Sequence, residues 1–392
     1  MDSITTQIRS LAEAADGAGR QSILDALQQL QAELETPQDV LMKLHNSQIQ
    51  TSVIYVAVQL GLFKHLAADP SSTLTVAQLA DKTGASPQLL QRILRYLSST
   101  AFISNPSPDH YQATKATHFV ASPVADAGMI HSFDTCGPAT YALPSFLADN
   151  NYSDITSNTH TPFQKGHNTD LSAFQWLAQH PKNFHALQVV MTALQSADWL
   201  NDLDVLDQAA AAAAATTKVV QGSEKKRPFF VDVGGGHGHQ CKQILEKYPN
   251  LHGSLVLQDL AQAVGKLPPI DGVKVMAQNF FEKQAVQGAE FYYLRRIMHD
   301  WPDAECLTIL SNLAEAMDGD YSRILMDEVV LPDVNVPWQA AMQDISMTIQ
   351  FGGKERTRSE WNSLIERSGL KVVDVRTYNV SSCASVIVLE KE

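Results

Sequence analysis

Apolar positions change period along the chain. Over the first forty residues Leu11, Ile23, Leu24, Leu27, Leu30 and Leu34 recur at helical spacing among polar residues. That pattern predicts amphipathic helices too narrow to stand alone, which pack on something else. A longer apolar-rich helix is expected from Ser47 to Leu66, broken near Gly61. The next segment reads as a compact helix-turn-helix. Thr75 with Gln78 forms a capping box and Gly84 a stop, then Ser86 and Pro87 start a second helix with an apolar stripe of Leu90, Ile93, Leu94 and Leu97. Phe102-Ile103 and Tyr111 to Ala113, around a turn at Asn105 to Asp109, predict a β-ribbon. Helices followed by such a ribbon make a winged-helix unit.

From about Asp126 to Asn201 the pattern is again helical, with Phe133, Tyr141, Phe146, Phe174, Trp176, Phe184 and Trp199 available for a pocket or for plain core packing. The alanine tract Ala209 to Ala215 and the polar stretch Gln221 to Arg227 read as a tolerated surface insertion. Beyond them the texture changes to short β-rich runs alternating with helical ones. The runs are Phe229 to Val233, Ser254 to Leu257, Lys274 to Met276, Phe291 to Arg295, Arg323 to Asp327, Val372 to Tyr378 and Ser385 to Leu389. This alternation predicts an α/β, Rossmann-like doubly wound domain. The expected division is residues 1–125 as helical extension and winged unit, 126–226 as connecting region contributing to a substrate pocket, and 227–392 as the α/β domain.

At 392 residues the chain exceeds what one core usually organises. A net charge of −13 argues against nucleic acid, because that affinity rests on Lys and Arg neutralising phosphates. The second helix of the winged unit offers only Arg92 and Arg95, so a dimerisation module is favoured over a DNA reader. Cys136, Cys241, Cys306 and Cys383 lie far apart, without metal-ligand spacing, and no apolar run approaches the roughly 20 residues of a membrane span. A cytoplasmic protein with reduced thiols, no membrane association and no metal is expected.

The candidate chemistry sits at strand ends. Phe229 to Val233 runs into Gly234-Gly235-Gly236-His237-Gly238 and then a helix, a turn where side chains would block a cofactor from the backbone. Asp259 ends the next strand, about 20 residues on, where doubly wound folds place a carboxylate against ribose hydroxyls. A dinucleotide and S-adenosylmethionine share that ribose, so this pair does not choose between them. After the fourth strand, Tyr293-Leu294-Arg295-Arg296-Ile297-Met298-His299-Asp300-Trp301-Pro302-Asp303 puts a histidine just past a strand's carboxyl end, with Asp300 or Asp303 as helix cap.

This ordered set resembles the plant and fungal class I small-molecule O-methyltransferases, and the winged unit resembles their dimerisation domain; the likeness runs from about Ser47 to the end. It implies a homodimer, S-adenosylmethionine as cofactor, and a small-molecule acceptor hydroxyl on an aromatic, polyketide or alkaloid-like metabolite. It also implies His299 as general base, flanked by Glu328 in Met326 to Pro332 and Glu355 in Gly352 to Thr357. Cofactor contacts are expected from Gly234, Gly235, Gly236, Asp259, Asn279, Phe280 and Arg295, and acceptor contacts from His131, Asp344, Met347 and Phe351. One departure stands out: the family usually carries aspartate where this chain has Asn279. Its carbonyl can still accept a bond from the adenine amine, with lower affinity, or the change marks relaxed selection on methyl transfer. The alternative activity is a dehydration or pericyclic rearrangement, which some fungal proteins of this type catalyse while binding the cofactor.

Overall fold

The computed structural model describes residues 2–69, 71–193, 196–201, 203–217, 227–265, 267–319 and 321–392. The chain divides into two compact units, residues 1–141 with 174–194, and residues 142–173 with 195–392.

The first unit opens with helices Asp2–Ala14, Gly17–Leu34 and Pro37–Gln59. The third starts ten residues earlier than its apolar pattern predicts. Thr36 and Asp39 close a capping box there, with Pro37 in the first turn. Gly61, at φ +66°, separates it from the helix Leu62–Ala67. Strand β1 (Leu74–Thr75), the helices Val76–Thr83 and Pro87–Ser99, and the ribbon β2 (Ile103–Ser107) with β3 (His110–Ala113) complete the winged unit, its sheet ordered β1-β3-β2. Thr75 and Gln78 form their box as the sequence predicts, whereas the Ser86 hydroxyl reaches Gln88 and makes no cap bond. The stripe Leu90, Ile93, Leu94 and Leu97 packs with Leu62, Phe63, Leu79 and Tyr111 in one core.

In the second unit a mixed sheet runs in the order β10-β11-β8-β7-β4-β5-β6. Its strands are β4 (Phe230–Val233), β5 (Leu255–Asp259), β6 (Val273–Ala277), β7 (Phe291–Arg295), β8 (Arg323–Leu331), β10 (Leu370–Asn379) and β11 (Ala384–Lys391); short β9 (Arg356–Thr357) pairs with β8. The first five are parallel and the last two antiparallel. Because side chains alternate along a strand, each face builds a separate core. Val231, Val233, Tyr292, Leu294 and Met326 meet Cys306, Ile309, Leu313 and Trp361 on one face, and Phe230, Leu257, Tyr293 and Leu325 meet Leu206, Ala210, Cys241 and Ile244 on the other.

That second core corrects the reading of the alanine tract. It forms the helix Asp204–Thr217, where Leu206 and Ala210 are buried, so the small side chains let a helix lie close on the sheet. The neighbouring polar stretch from Gln221 lies outside the described residues up to Arg227. Among the described residues no helix is long and apolar enough to cross a membrane.

Strand order reverses at β4, which has β5 on one side and β7 on the other. Open α/β sheets bind ligands at the carboxyl ends of strands beside such a switch point.

Candidate active site

Three chain segments leave the sheet at that switch point. After β4 comes the glycine turn, in which Gly234 and Gly236 adopt φ +71° and +54°. A Cβ on Gly236 would meet nothing within 4 Å, whereas one on Gly235 would sit 2.4 Å from Asp232 and Leu257. The turn therefore needs glycine inward for packing and presents bare backbone outward. At the end of β5, Asp259 accepts bonds from the backbone N–H of Gly236 (2.9 Å) and of Leu260 (2.7 Å), which fixes the carboxylate beside the turn. Phe280 approaches Gly234 and joins Phe281 and Trp301 in an edge-to-face cluster with ring centres 4.8 to 6.1 Å apart. Asn279 turns its carbonyl to the Phe281 N–H at 3.1 Å, a local bond the sequence did not announce. Arg295 pairs with buried Asp327 at 3.3 Å, and Tyr293 and Tyr378 also donate to that aspartate, at 2.6 and 2.7 Å.

Strand β7 ends abruptly. Arg296 takes a left-handed backbone (φ +54°), which costs a bulky residue about 1–3 kcal/mol and is met where surroundings over-determine it. A 3₁₀ turn, Met298–Asp300, follows and carries His299, 7% exposed. Four groups hold this turn. One oxygen of buried Glu328 accepts from the Ile297 and Met298 N–H groups at 2.9 and 2.8 Å. Arg356, also buried, donates to the carbonyls of Met298 (3.2 Å) and Trp301 (3.0 Å), and the Cys306 thiol reaches the same two carbonyls. Finally the Lys354 N–H donates to the His299 carbonyl at 3.0 Å. Neither Asp300 nor Asp303 caps the following helix, Asp303–Ala316; Asp303 is drawn to the Arg356 guanidinium at 2.8 Å.

The imidazole Nδ1 of His299 lies 2.8 Å from Glu355 Oε1, and Nε2 lies 3.6 Å from Asp300 Oδ1. Glu355 is held in turn by Gln343, whose side-chain N–H donates to the same Oε1 at 2.8 Å, while its backbone N–H donates to Asp344 at 2.9 Å. One ring nitrogen of His299 and one carboxylate oxygen each of Glu328 and Glu355 lie within 4.8 Å of one another. Burial by itself would push the imidazolium down. Asp300, Glu328 and Glu355 outweigh it and hold His299 up at about 9. Burial also pushes Glu328 up to about 7, against the pull of the neighbouring His299 and Arg296.

Five buried side-chain polar atoms lack a hydrogen bond among the described residues: Arg295 Nη1, Arg296 Nη1, Glu328 Oε2, Glu355 Oε2 and His131 Nδ1. Arg295 Nη1 is nonetheless ion-paired with Asp327, so the atoms without a partner near His299 are Arg296 Nη1, Glu328 Oε2 and Glu355 Oε2. Such atoms are few in folded proteins and mark positions for ligands or bound water. Bare backbone at Gly236, a fixed carboxylate at Asp259 and the Phe280 ring form a donor, acceptor and apolar set that fits an adenosine-type cofactor.

The second unit thus brings together His299, Glu328 and Glu355, and along the neighbouring strand ends Gly234 to Gly236, Asp259, Asn279, Phe280 and Arg295. Asp344, Met347 and Phe351 lie on the helix Trp338–Phe351, which leads into the glutamate loop. His131 belongs to the first unit, on the π-helical turn Ile130–Cys136, with Nε2 3.5 Å from the Cys136 sulfur. Gln343 and Arg356 escaped the reading of the sequence, which offers no signal for either beyond proximity to Asp344 and Glu355.

Comparison with known proteins agrees with this layout. The O-methyltransferase domain matches residues 183–371 and the O-methyltransferase dimerisation domain residues 42–123. Over 391 residues the chain is 37% identical to demethylsterigmatocystin 6-O-methyltransferase of Aspergillus flavus, the match spanning 100% of this chain and 98% of that protein. A solved structure described as a pericyclic reaction enzyme shares 36% identity at a TM-score of 0.88, covering 100% of this chain and 99% of that one. LepI in complex with SAM shares 35% identity at a TM-score of 0.89, covering 100% and 98%.

Proposed function

Because the chain belongs to the O-methyltransferase family, we propose that it uses S-adenosylmethionine to methylate a hydroxyl of a small aromatic, polyketide or alkaloid-like metabolite in the cytosol, with His299 as general base. The observation that carries this reading is the His299 Nδ1 to Glu355 contact of 2.8 Å at the carboxyl end of β7. When bound, the cofactor supplies a methyl group already activated on a sulfonium. The Gly234 to Gly236 backbone, Asp259, Asn279, Phe280 and Arg295 would hold it, with the Asp259 carboxylate as the acceptor suited to ribose hydroxyls.

The remaining work is to align the acceptor oxygen and take its proton, and alignment alone contributes several kcal/mol, about 7 or more in favourable cases. His299 takes the proton at Nε2. Glu355 fixes the tautomer through Nδ1 and stabilises the imidazolium that forms, as carboxylates do in hydrolase triads. Glu328 acts by holding the backbone of the turn. Acceptor contacts are assigned to Asp344, Met347 and Phe351.

A second reading has its own support. A histidine held up at about 9 is also a proton donor, and two of the similar structures are a pericyclic reaction enzyme and LepI. The two readings separate on incubation with methyl-labelled S-adenosylmethionine and candidate phenols. Methyl transfer forms S-adenosylhomocysteine in step with labelled product, whereas rearrangement or dehydration forms unlabelled product and no S-adenosylhomocysteine.

The protein is further proposed to act as a homodimer joined through residues before about Ala125. Leu24, Leu27, Leu30, Leu34, Leu41 and Leu44 are exposed on helices Gly17–Leu34 and Pro37–Gln59, and this much leucine surface in water is costly.

A further inference from the structure

Glu355 Oε1 accepts two hydrogen bonds, one from His299 Nδ1 and one from the Gln343 side-chain N–H, each 2.8 Å long. Its second oxygen is buried with no hydrogen bond. The carboxylate that faces the histidine therefore depends on Gln343 for its only other side-chain hydrogen bond among the described residues. From this geometry we propose that Gln343 is a positioning residue of the reaction, setting how tightly the Glu355 carboxylate holds the proton on His299.

The physical argument is one of competition for a single oxygen. A donor on Oε1 stabilises the carboxylate when the imidazole is neutral, because the charge left behind is still solvated by an N–H group. Removing that donor leaves the ring as the main source of solvation, so the protonated form is favoured and less of the histidine is present as free base near neutrality. Gln343 also fixes the rotation of the carboxylate, since the Glu355 backbone is independently tied to Asp344 at 2.9 Å. The other charged groups around the pair come from every neighbouring element: Asp300 on the histidine's own turn, Glu328 from β8 with Arg296 beside it, and Asp344 on the Gln343 helix. The Lys354 ammonium is 3.8 Å from both Asp303 and Glu360. Among these groups Gln343 alone touches the bonding oxygen without bringing a charge.

The proposal rests on the general-base reading only for its kinetic consequence; the titration it predicts does not require methyl transfer. The test is an NMR titration of the His299 imidazole in full-length, cofactor-free protein, with the resonance assigned against His299→Gln. Gln343→Met keeps the shape and removes the donor, and should raise the proton affinity of His299 by roughly threefold to tenfold, with the acid limb of kcat/KM moving the same way. Gln343→Asn keeps the amide but shortens its reach so that it no longer meets Oε1, guards against a folding defect in the first variant, and should raise it by a similar factor. A purely structural role would lower kcat with both midpoints unmoved. An unmoved His299 titration in both variants overturns the proposal, and retention of turnover by His299→Ala would instead overturn the general-base reading while leaving the titration result intact.

Discussion

Gly353→Ala should act on catalysis with little effect on cofactor binding. A Cβ at this position would lie 2.0 Å from the His299 carbonyl oxygen and 3.0 Å from the Asp300 backbone. An acceptable C···O approach is about 3.3 Å, so loop and turn must part by roughly 1.3 Å. That breaks the 3.0 Å bond from Lys354 N–H to His299 O and, carried two residues on, stretches the 2.8 Å His299 to Glu355 contact to about 4 Å. A hydrogen bond to a charged group is worth about 1.5–3 kcal/mol, or roughly 10- to 150-fold in rate. A displacement near 1 Å in a positioned catalytic group costs about a hundredfold, and the two estimates agree. Steady-state kinetics with a phenolic acceptor, alongside calorimetry with S-adenosylhomocysteine, should show kcat lowered about a hundredfold and a Kd within about twofold of wild type. A variant with kcat within about threefold of wild type would refute the claim that this loop sets the geometry of His299.

Three further outcomes are expected. His299 stays protonated until about pH 9 in the free protein, so the base form grows tenfold per pH unit below that, and kcat/KM should rise from pH 6 to 8; a falling profile would identify a proton donor instead. Asp259→Ala should weaken S-adenosylmethionine binding by about 1.5–3 kcal/mol in calorimetry, the cost of a charged hydrogen-bond partner, and an unchanged Kd would place the ribose acid elsewhere. Leu27→Glu combined with Leu34→Glu, both exposed, should lower the mass found by light scattering from dimer to monomer, and an unaltered dimer would move the interface off this helix.

Strand runs and turns were legible because their signals are local. β7 spans Phe291–Arg295 as its apolar run predicts, and the Gly234 to Gly236 turn, Asp259 and His299 fall at strand ends because strand length and loop chemistry fix them there. The alanine tract misled because hydropathy variety is a poor guide where small side chains serve close packing, as at Ala210. Roles set by side-chain direction were hidden as well. Nothing in Met326 to Pro332 reveals that Glu328 turns to two backbone amides, or that Asn279 spends its carbonyl on Phe281. Gln343 and Glu355 meet only because the chain reverses at Gly352, which has φ +66°.

The central claim is that His299, held by Glu355, removes the acceptor proton during methyl transfer. It is tested most directly by single-turnover transfer from methyl-labelled S-adenosylmethionine in His299→Ala, with cofactor affinity measured on the same preparation. The account predicts transfer slowed by about 10²–10⁴, the usual worth of a general base, with cofactor binding nearly intact. Transfer at close to the wild-type rate would contradict it.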